Sequence, residues 1–512
     1  MTPLQSFVTA YLKELTGAYY IKQVAVILVL FLLGAVFTDL LLGPEEVRIK
    51  RAVIAFPAGI SVFVITAYVM LICGISYNTL TVSLVIAAEF AAALIAGRRK
   101  FPGYIKEKGV KRMLPFICFA AVLAMIATSG IAPVSVTNDT MYYFKRYPDC
   151  IVYYNGLRDQ FDFFLTDTGL GVISLDTLPA LFGFGYSFGI REFFHIDFLI
   201  FFGICVFERA DTFLKKKSHA LAAAIITTAF LAFSTPFVIL GHWALANMYF
   251  MEMFFMAAYI ATDYTDGGRM ITPLLLLAMS LFRIEGTIFA VWLILCISLF
   301  TDLSKRLVLF ALIPMAVLFG GYCLKIFTQF YVLDNVYLFM SPQKSAVLVA
   351  FIVAAGIYLW FVFPALRSKF GKYLPSVYLL ALLAGNLLLF VSDSAHYTGN
   401  LSAFCSNLFK QSGWGMLPYF IIAMTVLLAA EALISRIRSR RPGDISQVPD
   451  VTKKYDMVLT VGFILIVLAA SFGRGDVLSQ AVGDSGNRVL LQVVPLLVMT
   501  YAELFLAYIA RD

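Results

Sequence analysis

Charged residues are scarce in this chain of 512 residues: Asp, Glu, Lys and Arg together make up 14% of it. Soluble domains carry about 25%, so a water-facing globular surface is excluded over most of the length. Four histidines and seven cysteines are few, and no His, Cys and Glu spacing matches a zinc site. The P-loop, the Gly-rich dinucleotide fingerprint and the Gly-x-Ser-x-Gly elbow are all missing. No polar stretch is long enough to form a cytoplasmic domain for nucleotide-sugar or ATP chemistry. No internal repeat is visible, although two related halves are common in secondary transporters. A removable targeting segment is also lacking: Met1 to Gln23 has no basic region followed by an apolar core and a small-residue cleavage site, and reads instead as an interfacial helix.

What is present is apolar. Hydrophobic residues reach 61% and the mean hydropathy is +0.87. The apolar material falls into blocks of roughly 20 residues, the length of a membrane-spanning helix, whereas barrel strands would alternate over about 10. The expected fold is all-α and polytopic. Spanning segments are expected at 24–42, 52–74, 79–96, 113–133, 194–208, 219–236, 243–262, 270–283, 286–301, 307–324, 345–364, 374–392, 414–434, 456–472 and 489–509.

Orientation follows from Lys and Arg, which are retained on the cytoplasmic side. Basic residues cluster at 97–112, 208–218, 366–372 and 435–454, so these loops are expected in the cytoplasm. The +8 formal charge then faces anionic lipid and calls for no nucleic-acid partner. The 134–192 stretch is predicted to face outward and to fold, with a short interfacial helix capped by Ser174 or Asp176 and stopped by Gly183. Leu178, Leu181 and Phe182 would turn to lipid or protein. Of the cysteines, Cys150 and Cys405 fall on the outer side, where a disulfide is permitted.

Charges at membrane depth are costly and point to function. "LLLLAMSLFRIEGTIFAVWLILCI" (274–297) sets Arg283 and Glu285 between two short apolar runs, with Gly286 as the sole turn residue. One reading is an ordinary surface turn; the other places both charges in a protein-lined cavity, where the arginine offers directed donors to a phosphate. Arg488 leads into the last apolar segment, either as an anchor that snorkels to the interface or as a second phosphate ligand. His195, His242 and His396 all fall at outer helix ends. Glu89 and Glu252 lie within apolar segments, as structural acids or as members of a proton relay.

The stretch "SVTNDTMYYFKRYPD" (135–149) sets polar and aromatic residues just beyond an apolar segment. Together, "TNDTMYY" with Asp139, "FRIEG" (282–286) and "NRVLLQVVPLL" (487–497) resemble the GT-C superfamily of integral membrane glycosyltransferases, over about 113–512. That resemblance implies an acid in the first large outer loop, an R-x-E-G-like turn midway and an arginine entering a terminal helix. In that superfamily the acid follows the first helix, whereas Asp139 follows the fourth, so 1–112 would be an accessory addition of N-terminal membrane helices to a 113–512 core.

The implied reaction moves a sugar from a polyprenyl-phosphate donor to a glycan or lipid acceptor on the outer face of the cell membrane, with inversion. Asp139 would take the acceptor proton, and Arg283 and Arg488 would hold the departing phosphate. Asn138, Tyr142, Tyr143, Lys145, Arg146, His242, Glu285 and His396 would line the substrate cavity. No cofactor is required, though Asn138, Asp139 and Asp149 offer hard oxygen ligands to a divalent cation such as Mg²⁺ or Mn²⁺. The rival readings are a lipid-linked glycan flippase, whose path Glu89, Glu252, Arg283 and Glu285 would line, and an outward-facing glycan polymerase or ligase.

Overall fold

The structure is a computed structural model that describes residues 17–42, 47–100, 109–129, 146–157, 169–183, 189–242, 246–266, 268–329, 341–410, 414–438, 450–472 and 485–509. The described residues are mostly helical, without a strand. Eight of their helices are long and apolar enough to cross a membrane. This is the signature of a multi-pass helical membrane protein.

In chain order the helices are α1 (Gly17–Leu41), α2 (Arg48–Cys73), α3 (Thr79–Lys100), α4 (Gly109–Ser129), α5 (Tyr147–Tyr153), α6 (Gly171–Leu181), α7 (Gly189–Phe213), α8 (Lys217–Ala232), α9 (Thr235–His242) and α10 (Ala246–Asp263). They continue as α11 (Thr272–Phe282) and α12 (Gly286–Phe300). Next come α13 (Ser304–Thr328) and α14 (Pro342–Phe370), then α15 (Leu374–Ser392), α16 (Ser394–Phe409), α17 (Leu417–Arg438), α18 (Asp450–Phe472), α19 (Ser485–Leu491) and α20 (Val494–Ile509). Two compact units result: 1–201 with 242–365, and 202–241 with 366–512. Neither unit follows the 112/113 division.

Several expected spans are altered by proline. The 219–236 segment breaks into α8 and α9 because Pro236 stands second in α9 and cannot extend the preceding helix. Pro495 has the same place in α20, after a turn at Gln492–Val493. Helix α16 was not expected. Its charge-free but polar composition hid it, and Asp393 caps it by accepting from the His396 N–H at 3.0 Å.

In the first unit α1 and α2 pack backbone to backbone. A methyl group at Gly59 would lie 1.8 Å from the Leu30 carbonyl oxygen, and one at Gly34 would lie 1.7 Å from that of Ala55. Small residues at a crossing let two membrane helices approach this closely. At the centre is α10, buried from Ala246 to Ala261, as a helix apolar on every side must be.

The outer-loop helix departs from expectation. Rather than lying along an interface, α6 is buried on all sides, including Leu178 and Leu181, and Phe182 alone of the three named residues is exposed. It begins at Gly171, ahead of the proposed caps, and the Ser174 hydroxyl donates back to the Leu170 carbonyl at 2.7 Å. Gly183, with φ +72°, does end it. Tyr77 shares a hydrogen bond with Thr177 at 2.5 Å, and Thr79 donates to the Leu181 carbonyl at 3.0 Å, tying α6 to the start of α3.

Gly171 seats α6 on the end of α11. A methyl group there would stand 2.3 Å from the Leu281 carbonyl oxygen, a backbone atom that cannot move aside. Gly171→Val is therefore expected to destabilise the fold by at least about 3 kcal/mol. The check is thermal unfolding of the purified variant in detergent; an unchanged midpoint would mean that α6 does not dock on α11.

Candidate functional site

The Arg283–Glu285 turn joins two arms of 15 residues each, 268–282 and 286–300. At 1.5 Å per residue each arm covers roughly 22 Å, short of the ~30 Å hydrocarbon core. Each arm alone is thus shorter than the core that a spanning helix must cross. Arg283 is extended (φ −144°, ψ 150°), and the turn closes with Gly286 N–H donating to the Arg283 carbonyl at 3.0 Å.

Its side chains are engaged with one another and are largely buried. The Arg283 Nε donates to Glu285 Oε1 at 2.5 Å, Nη2 also pairs with that carboxylate, and Nη1 donates to Asn247 Oδ1 at 2.9 Å. Of the five guanidinium N–H groups, one on each Nη has no partner among the described residues. Asn247, buried near the start of α10, has its Nδ2 without a protein partner among the described residues.

A second polar cluster lies on α7 and α10. The first turns of α7 carry Arg191, Glu192, His195 and Asp197. Aromatic packing holds this segment: Phe193 meets Phe56 at 4.2 Å and Phe31 at 6.1 Å between ring centroids, and Phe194 stacks on Tyr249 of α10 at 5.6 Å. Tyr249 also faces Phe282 at 5.8 Å, and Arg191 lies over its ring at 5.8 Å. One tyrosine thus joins α7, α10 and the arm that ends in Arg283.

His195 Nδ1 and Glu252 Oε1 are 2.5 Å apart, with Glu252 fully buried and the histidine side chain 21% exposed. A carboxylate that holds one imidazole nitrogen orients the ring, as the partner of a histidine base does. Asp197, also fully buried, stands within electrostatic reach of Glu252, and neither of its oxygens has a protein partner among the described residues. Arg191, 3% exposed, acts on Asp176 of α6, on Glu192 and on Glu252. Its Nε and Nη1 likewise have no protein partner among the described residues. Buried donors in that condition are expensive, and each is open to an acceptor such as an anion or a water.

Burial pushes the Asp176 carboxyl up to about 8, against the opposing pull of the Arg191 guanidinium, and raises Glu192 to about 7, again with Arg191 opposing. Since the folded value for Asp176 lies above the unfolded one, the folded state holds a proton that the unfolded state has released. Its contribution to stability is complete below about 4 and is lost as pH rises toward 8. Asp176→Asn should remove this dependence, so its melting point relative to the wild type is expected to increase between pH 5 and pH 9. Melting curves across that range check it. A relative melting point that stays flat across that range would show a carboxylate already ionised against Arg191.

Of the residues singled out in the sequence, Asn138, Asp139, Tyr142, Tyr143 and Lys145 lie outside the described residues. Arg146 is exposed and immediately precedes α5. His242 ends α9. In the other unit, His396 is half-buried against Phe472, at 4.8 Å between rings, and Arg488 is half-buried in α19. Glu89 is bonded by the Thr66 hydroxyl of α2. Cys150 and Cys405 are both free thiols. Among the described residues no group of three His, Cys, Asp or Glu side chains could hold a metal ion. Arg191 and Asp197 were not singled out, and Asp176 was named only as a helix cap. The available signal was the density of four ionisable residues among the seven from Arg191 to Asp197, on an otherwise aromatic segment.

The fold defines a class, a multi-pass helical membrane protein with a buried ionisable cluster in its first unit. Compared with known proteins, the chain matches no family model, no curated protein and no solved structure.

Proposed function

We propose that the protein is a membrane glycosyltransferase, transferring a sugar from a polyprenyl phosphate to a glycan or lipid acceptor on the outer face. The observation that carries this reading is the turn of 283–285. It sets an arginine at the junction of two short helices, with N–H groups that have no partner among the described residues and with α6 seated against the end of the first arm through Gly171. Arg283 supplies the cation for the departing phosphate, Glu285 and Asn247 hold its plane, and Asp139 takes the acceptor proton. The donor carries its own activation, so no nucleotide fold is needed. The test is transfer by the purified protein from radiolabelled polyprenyl-phosphate sugars to a lipid-linked acceptor. Failure across the common hexose and pentose donors, with a folded protein, overturns the reading.

The cluster of His195, Asp197 and Glu252 favours a second reading, a proton-coupled flippase in which the three pass a proton during substrate movement. Proteoliposomes loaded with a pH-sensitive dye distinguish the two. Substrate-dependent acidification without glycosidic bond formation would support transport.

A further inference from the structure

The second unit holds a feature that neither sugar transfer nor proton movement uses. Between α8, α17 and α20 runs an open cavity of about 580 Å³, within the roughly 300–1,000 Å³ range of sites that take a small ligand. Its walls are almost wholly apolar: Ala223 and Ile226 from α8, Phe420 and Met424 from α17, and Phe505 from α20. The hydroxyl of Tyr501 is already engaged by Thr425 at 2.5 Å, which leaves Thr227 and, at one end, His219 as the other polar side chains on a wall that is otherwise apolar.

One end of the cavity has a different character. Leu214 and His219 both line it, and the residues between them are Lys215, Lys216, Lys217 and Ser218, all exposed. The chain therefore enters and leaves the cavity wall through a run of three lysines. These lysines also open α8, a helix of 16 residues whose N-terminus has no side-chain cap, so its first N–H groups add to the positive end. The run belongs to a loop that the distribution of basic residues assigns to the cytoplasmic side.

We infer that this cavity binds one anionic phospholipid of the cytoplasmic leaflet, an acyl chain lying in the groove of α8, α17 and α20 and the phosphate held by Lys215–Lys217 and His219. The apolar length suits a hydrocarbon chain, and the charge at its mouth selects an anionic headgroup over a zwitterionic one.

The experiment uses the full-length protein, delipidated in detergent and exposed to equal amounts of dioleoyl phosphatidylglycerol and dioleoyl phosphatidylcholine, with bound lipid counted by native mass spectrometry. One phosphatidylglycerol is expected to be retained in preference to phosphatidylcholine. The surface triple variant Lys215→Gln, Lys216→Gln, Lys217→Gln, which leaves the core untouched, should weaken that retention about tenfold or more, from the attraction of each basic residue to an anionic headgroup. Ala223→Phe, which fills the groove, should reduce retention of both lipids. The pair Lys369→Gln, Lys372→Gln removes charge from another basic loop and should change nothing. Equal binding of the two lipids, full retention by the triple variant, or an equal loss in the Lys369 and Lys372 control would overturn the inference. So would a lipid-free dimer in which a second copy covers the groove.

Discussion

Arg283→Ala is expected to lower sugar transfer by about 10²–10³-fold, the loss seen when one preorganised donor to a developing negative charge is removed. The side chain is placed by its neighbours: Glu285 takes Nε and Nη2, Asn247 takes Nη1, and the extended backbone of residue 283 sets the direction. Among the described residues, what remains for a phosphate is one N–H on each terminal nitrogen. Arg283→Lys should recover only a small part of the lost rate, because an ammonium cannot satisfy Glu285 and Asn247 together while keeping two directed donors free. Asn247→Ala should give a smaller loss, through orientation alone. The assay is transfer from a polyprenyl-phosphate sugar by purified, folded protein. Wild-type rates in Arg283→Ala would remove this residue from the reaction, and with it the main support for the glycosyltransferase reading.

Asp139→Asn is expected to reduce transfer by about 10²–10⁴-fold, as the loss of a general base does. The isosteric amide keeps any helix-capping role of Asp139 and removes only its basicity, so stability should stay at the wild-type level while turnover falls. His195→Gln is the informative companion. His195 is oriented by Glu252 and is accessible, so it is the rival base. If Asp139→Asn retains wild-type activity and His195→Gln loses it, the proton is taken by the imidazole. A loss confined to Asp139→Asn leaves the His195–Glu252 pair to positioning or to proton storage. Retention of activity by both variants would remove Asp139 and His195 alike as the base while leaving transfer itself in place.

The two variants probe residues that sequence reading treated unequally. Arg283 and Glu285 stood out because a local property, charge between two short apolar runs, was visible in a dozen consecutive letters. Arg191 and Asp176 did not. Each sits among apolar neighbours as an ordinary loop charge would, and their significance depends on α6 folding inward. That inward fold was misread as an interfacial helix because an apolar helix has the same composition whether lipid or protein covers it; the closeness of Gly171 to Leu281 decided the matter.

By itself, the sequence determined the class of the protein. Blocks of apolar residues as long as the hydrocarbon core is thick leave a chain no alternative to spanning helices, since every backbone polar group must be satisfied within its own segment. Pro236 and Pro495 interrupt two of those blocks for an equally local reason, although both spans were expected to run through them. Tertiary structure alone decided which charges meet. His195 and Glu252 are 57 residues apart, and Arg191 reaches Asp176 only because aromatic packing of Phe193 on Phe56 and of Phe194 on Tyr249 turns the start of α7 into the unit. Spanning is a property of one segment against lipid, whereas pairing of buried charges is a property of several segments against one another, and hydrophobic pattern carries no record of partners.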